Sequence, residues 1–167
     1  MPNICVNVLT VEGSGRDEFF EAAKGKDEDG EHMDVSFDSV LPVPPELREE
    51  NWGTDRECFD GGEHANDDGN LQSIQVYFCT ANTPPDKLFK TVSKDYTGTK
   101  FTLDYMETGC GLIGSVEFKN GVEIKNVTYS NKISDDEQTK AECDAFLKYK
   151  FGALYNDNLI TGAHKRP

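Results

Sequence analysis

The sequence predicts an α+β domain with a split βαβ arrangement, in which two helices cover one face of an antiparallel sheet. Short alternating apolar segments at residues 3–11, 35–39, 74–79 and 101–105 have the period of half-buried strands. Helix signals follow the first and third of these, the order of a split βαβ unit. The 167 residues include ten Phe and six Tyr and are 36% hydrophobic, enough for one core. Residues 1–167 therefore read as a single domain, with an insertion at 42–70 and a C-terminal extension at 126–167.

Each element has a local reason. Ile4, Val6 and Val8 alternate with Cys5 and Asn7, and this strand ends at Gly13. Ser14 opens a helix with acids in its first turn and Phe19, Phe20 and Ala23 as an inward stripe before Gly25. The charged run Gly25 to Asp34 reads as a loop. Val35, Phe37 and Ser39 read as a second strand, stopped by Pro42-Val43-Pro44-Pro45 because Pro donates nothing to a ladder. Residues 42–70 are rich in Pro, Gly and acids, with short helical turns expected at Pro45 to Glu50 and around Arg56.

Ile74, Val76 and Phe78 mark the next strand. Thr83 then suits an N-cap and Pro84 the first helical position, with Leu88, Phe89 and Val92 facing the sheet. Phe101, Leu103 and Tyr105 form another strand. At Lys119-Asn120-Gly121 a three-residue hairpin loop with left-handed Gly121 would pair Phe118 with Val122 and Val116 with Ile124. Ser134-Asp135-Asp136-Glu137 is a capping-box pattern for a final helix that presents Cys143, Phe146, Leu147 and Phe151 on one side and stops at Gly152.

Four motifs resemble a known family. Residues Pro2-Asn3-Ile4-Cys5-Val6-Asn7-Val8-Leu9 are similar to the P-N-W-C-x-N-x-L start of the YubB-like ferredoxin-like proteins of phages, prophages and conjugative plasmids. Phe37 to Leu47 resembles its F-x-x-I-x-P-x-P-x-E-L, Asn51-Trp52-Gly53-Thr54 its N-W-G-T, and Phe78 to Pro85 its F-x-T-A-W-x-P-P. Ile4 and Asn82 stand where those proteins usually carry Trp. The resemblance implies a ferredoxin-like fold and a mobile-element context, and it implies no activity.

The charge is uneven. Acids outnumber bases 31 to 17, a net of −14, and residues 1–70 hold nineteen acids against five bases while the rest hold twelve of each. This disfavours direct nucleic-acid binding, which needs phosphate-facing cations. Stacking of RNA bases on Tyr77, Tyr105 and Phe118 is the weaker alternative. An acidic interaction surface of Asp17, Glu18, Glu21, Asp27, Glu28, Asp29, Glu31, Asp60, Glu63, Asp67 and Asp68 is expected, suited to a host protein with a basic surface. In its sharper form the acids imitate DNA phosphates and block a defence enzyme.

Other chemistry finds less support. Asn51, Trp52, Thr54, Thr80, Asn82 and Thr83 are candidate ligand-binding residues near a strand end and a helix start. Gly109-Cys110-Gly111-Leu112-Ile113-Gly114 has the letters of a dinucleotide loop but precedes a strand rather than a helix. The acidic runs lack calcium-loop spacing, and His32, His64 and His164 all sit in polar stretches. No catalytic residue, metal or cofactor is therefore assigned, and the reading is non-enzymatic. Five cysteines without C-x-x-C, no signal pattern and no long apolar run point to free thiols, no membrane and a cytoplasmic location.

Overall fold

The computed structural model describes residues 2–63, 72–107, 109–129 and 137–156. Strand β1 (Ile4–Gly13) leads into helix α1 (Arg16–Ala23), then a two-stranded ribbon, β2 (Gly25–Lys26) and β3 (His32–Met33). Short helices α2 (Phe37–Val40) and α3 (Arg48–Trp52) flank a 3₁₀ turn at Pro45–Leu47. Then follow β4 (Phe59–Glu63), β5 (Ser73–Ala81), α4 (Asp86–Val92), β6 (Thr99–Glu107), β7 (Leu112–Lys119), β8 (Val122–Tyr129) and α5 (Glu137–Asn156).

The main sheet has the order β4-β5-β1-β6-β7-β8, and every neighbouring pair is antiparallel. Taken as β1-α1-β4-β5-α4-β6, the chain is a ferredoxin-like βαββαβ unit with β1 central, and β7 and β8 extend it beyond β6. The second strand of that unit is β4, inside the segment 42–70, and not residues 35–39.

Both faces of the sheet are covered. On one, Leu9, Val11, Phe78, Phe101 and Leu103 meet Phe19 of α1, Phe37 of α2, Trp52 of α3 and Leu88, Phe89 and Val92 of α4. Its aromatic rings pack edge-to-face, as in Phe19–Phe101 (5.0 Å between centroids, 86°) and Phe37–Trp52 (5.4 Å, 76°). On the other face, Val6, Val8, Cys79, Met106 and Ile113 meet Cys143, Leu147 and Phe151 of α5. The inward side of α5 is thus the one the sequence indicates, although its helix runs through Gly152 instead of stopping there.

Four local expectations are corrected. Residues 35–39 form no strand, because Phe37 turns into the core from α2. Part of the 25–34 run is the β2–β3 ribbon rather than loop. The residues around Arg56 form bends, not a helical turn. Helix α4 starts at Asp86, with Pro85 at the N-cap, because Pro84 precedes another proline and is sterically kept out of the helical region.

The β7–β8 hairpin also departs from its expected register. Asn120 (φ 54°) and Gly121 (φ 78°) are both left-handed, the signature of a two-residue type I′ turn. Lys119 therefore faces Val122 and Phe118 faces Glu123, and an irregularity then sets Glu117 opposite Lys125. Val122 and Ile124 are 58% and 51% exposed, so no burial rewards the apolar matching and turn chemistry sets the register. Gly121→Val, a β-branched residue at positive φ beside the Lys94 side chain, is expected to lower stability by about 1–2 kcal/mol in urea unfolding.

One buried charge lies beneath α5. Asp104 on β6 is fully buried, and Lys150 Nζ approaches its carboxylate at 3.4 Å. Neither oxygen completes a hydrogen bond of good geometry. Burial raises its pKa above the usual 3.8 and Glu117 adds to that, while Lys150 and the Ser115 hydroxyl oppose it. A raised carboxyl favours folding while protonated, so its contribution is full below the unfolded value and is lost as pH rises through the folded one. Asp104→Asn should therefore gain on wild type, by on the order of 1 kcal/mol, as urea midpoints are compared from pH 4 to pH 7.

Candidate functional site

The motif residues Asn51-Trp52-Gly53-Thr54 and Thr80-Ala81-Asn82-Thr83 come together as a seam between α3 and the β5–α4 connection. Asn51 Nδ2 donates to Leu47 O (2.9 Å), and Trp52, fully buried, donates from Nε1 to Leu41 O (2.9 Å). Arg48 lies over the indole at 4.8 Å and reaches Asp38 at 3.1 Å. Gly53 closes α3 in the left-handed region (φ 89°), where a Cβ would strike Asp86.

The threonines fasten this seam. Thr54 Oγ1 donates to Ala81 O (3.0 Å), and Thr83 Oγ1 donates to Gly53 O (2.6 Å). Thr80 Oγ1 donates to Thr83 O (2.7 Å) and accepts from Asn7 Nδ2 (3.0 Å). Asn82, left-handed at φ 65°, accepts from Asn3 N through Oδ1 (3.0 Å) and donates its own N–H to Asn3 O (2.8 Å). Every one of these polar side chains has an internal partner.

A different place has the shape of a site. A cleft of ≈ 260 Å³ opens between the β2–β3 ribbon and the β4–β5 edge. Val35, Val76 and Phe78 contribute apolar walls, Tyr77 a half-buried ring, and Asp27, His32, Asp34 and Asp60 its polar groups. His32 Nε2 and Asp34 Oδ1 are 3.2 Å apart. Asp27 Oδ1 accepts from Asp29 N (3.0 Å) and Glu31 N (2.8 Å), which shapes the ribbon's turn.

The opposite wall depends on a bulge. Between Phe59 and Gly62 the β4 register shifts by one residue, and Asp60 takes the left-handed conformation (φ 50°). Gly61 and Gly62 lie close against β5: a Cβ on Gly61 would stand 2.9 Å from Tyr77 O, and one on Gly62 3.2 Å from the Tyr77 ring. Sequence reasoning passed over this cleft, and the Gly61-Gly62 pair beside Asp60 was its one local signal.

Glu57 joins the two walls. Its carboxylate accepts from Phe37 N (2.7 Å), Asp38 N (3.0 Å), Ser36 Oγ (3.2 Å) and Cys58 N (3.1 Å). It therefore caps α2 from across the fold.

The remaining candidates are placed as follows. Asp17, Glu18 and Glu21 are exposed on α1, with Asp17 next to Arg16 (3.1 Å) and Glu21 bonded to Lys24 (2.6 Å). Glu28, Asp29, Glu31, Asp60 and Glu63 are exposed and make no ion pair among the described residues. Asp67, Asp68 and His64 lie outside the described residues, as does His164. Tyr105 (7% exposed) and Phe118 (1%) are core rings, which removes the base-stacking platform expected of them. Burial pushes the Cys58 thiol well above its usual range, with Glu57 adding to the effect, and pushes Cys79 up to about 12, so neither is an activated nucleophile. Cys110 is exposed in the turn between β6 and β7, where the glycine-rich segment lies. Among the described residues no three His, Cys, Asp or Glu side chains are placed to hold a metal ion. Nor is any described helix long and apolar enough to cross a membrane.

The fold defines a ferredoxin-like α+β domain carrying an acid-lined cleft at one sheet edge. The family described as the ferredoxin-like domain in Api92-like protein matches residues 57–146, and the chain belongs to that family. Among solved structures it is similar to protein Api92 from Yersinia pseudotuberculosis, at 14% identity and a TM-score of 0.49, over 62% of this chain and 43% of that one. This chain thus spans less than half the length of that protein. No curated protein matches it.

Glu57→Gln keeps the size but leaves the α2 donors a neutral acceptor. It is expected to lower stability by about 1–3 kcal/mol and to speed hydrogen exchange at the Phe37 and Asp38 amides.

Proposed function

We propose that this is a non-enzymatic accessory protein of a phage, prophage or plasmid, of YubB-like type, that binds a host protein with a basic surface through its acidic side. One observation carries the reading: acids from two separate stretches, Asp27 and Asp34 on one and Asp60 on the other, line a single cleft. Uncompensated carboxylates held close together raise the local field, speed encounter with a cationic partner and disfavour anionic ones. The first seventy residues hold the whole net charge of −14, so the attraction is one-sided. The ligand-site alternative at Trp52 and Thr80 to Thr83 draws less support, since those side chains have internal partners.

Capture from host lysate tests this. Bound proteins should elute steeply between low and moderate salt, and the variant Asp27→Asn/Glu31→Gln/Asp60→Asn/Glu63→Gln should lose them by about tenfold or more. If the acids stand in for DNA phosphates, duplex DNA will compete for the same partner. Capture that is indifferent to both salt and charge removal overturns the proposal.

A further inference from the structure

We propose that the cleft between the β2–β3 ribbon and the β4 edge receives a single arginine side chain carried by the partner. This rests on the acidic-surface reading and names the group that the surface recognises. At ≈ 260 Å³ the cleft is smaller than the roughly 300–1,000 Å³ of sites that enclose a drug-sized ligand or cofactor. Its scale suits one extended side chain.

The lining selects the chemistry. Val35, Val76 and Phe78 can cover the apolar stem of a long basic side chain, which arginine and lysine share. The charged end then meets carboxylates from three directions: Asp27 beside β2, Asp34 after β3 and Asp60 on β4. A lysine ammonium is a compact, strongly hydrated point charge. A guanidinium spreads five donors over a plane and so can address separated carboxylates together. The Tyr77 ring, lying against Gly62, offers a face on which that plane can stack.

The cleft is also built for access. The β4 bulge turns Asp60 into a left-handed conformation at its wall. Glycine at 61 and 62 lets β4 pass close to Tyr77 where any larger residue would collide. The nearest thiol, Cys58, donates to Val35 O at 3.1 Å and is occupied internally. The cleft therefore presents carboxylates, one imidazole and one phenol, a set suited to binding a cation.

The test is an NMR titration of the ¹⁵N-labelled full chain at low salt with acetyl-Gly-Arg-Gly-amide and its lysine and citrulline counterparts. The arginine peptide should shift the amides of Met33, Val35, Gly61 and Gly62 with an affinity in roughly the millimolar range, as expected of a single side chain. The citrulline peptide, isosteric but neutral, should leave them in place, and the lysine peptide should bind more weakly. Asp34→Asn/Asp60→Asn should weaken the arginine response by about fivefold while amide dispersion stays native. Equal responses to arginine, lysine and citrulline overturn the inference, and the comparison uses the unmodified protein, so it stands even if the double variant misfolds. Shifts confined to α1, with salt-sensitive partner capture retained, overturn the cleft assignment and leave the acidic-surface reading intact. Loss of salt-sensitive capture strikes that reading itself.

Discussion

The constraint on which the architecture depends is the burial of β1 on both of its faces. It is the only strand of the ferredoxin-like unit that pairs with both β5 and β6, and residues 5–9 are all buried. A strand enclosed on both sides needs cover on both, so α1 and α4 alone cannot complete the fold and α5 must close the second face. The same enclosure decides how polar residues behave. Asn7, fully buried on the α1 and α4 side, is tolerated because its Nδ2 has three acceptors: Cys5 O, Phe78 O and Thr80 Oγ1. Asp104, under α5, has only Lys150 and an imperfect contact with Ser115, and burial there works against its charge.

The site half of the molecule depends on a second device. Residues 25–63 contain little regular structure, yet they form one wall and the edge strand of a cleft. What holds them is a set of polar contacts: Glu57 capping α2, Trp52 bonded to Leu41 O, and Thr54 and Thr83 stapling α3 to the start of the β5–α4 connection. The four short motifs of the sequence are explained by these contacts. N-W-G-T supplies a cap, a core ring, a left-handed stop and a fastener in successive residues. Such a motif secures a segment that otherwise buries only Phe37, Trp52 and a few aliphatic groups.

What the sequence made legible follows from periodicity. The strands at β1, β5 and β6, the inward face of α4 and the apolar side of α5 repeat over enough residues for burial to dominate. The failures have local causes that no period reveals. Val35-Phe37-Ser39 alternates like a strand, but Glu57, twenty residues away, caps a helical turn there instead. The hairpin register was argued from apolar matching on β8, an edge whose Val122 and Ile124 face water, so the Asn120-Gly121 turn chemistry prevailed. Pro84-Pro85 carried its own correction, because the first proline cannot be helical before the second. The cleft was least legible of all, since its walls come from segments joined only by tertiary contacts.

The placement of the acids bears on whether they do more than keep the chain soluble. An exposed edge strand such as β4 is usefully blunted by charge, and Asp60 and Glu63 meet that need without any partner. Solubility would equally be served by acids spread along α1 and the ribbon's turn. Neither requirement explains why Asp27 and Asp34, from the ribbon, line the same recess as Asp60, where mutual repulsion raises the cost of holding them together. A bulge, a left-handed aspartate and two glycines pressed against Tyr77 maintain that recess. Like charges gathered at a cost in folding, around a recess with apolar walls, gain a return only when a cation enters.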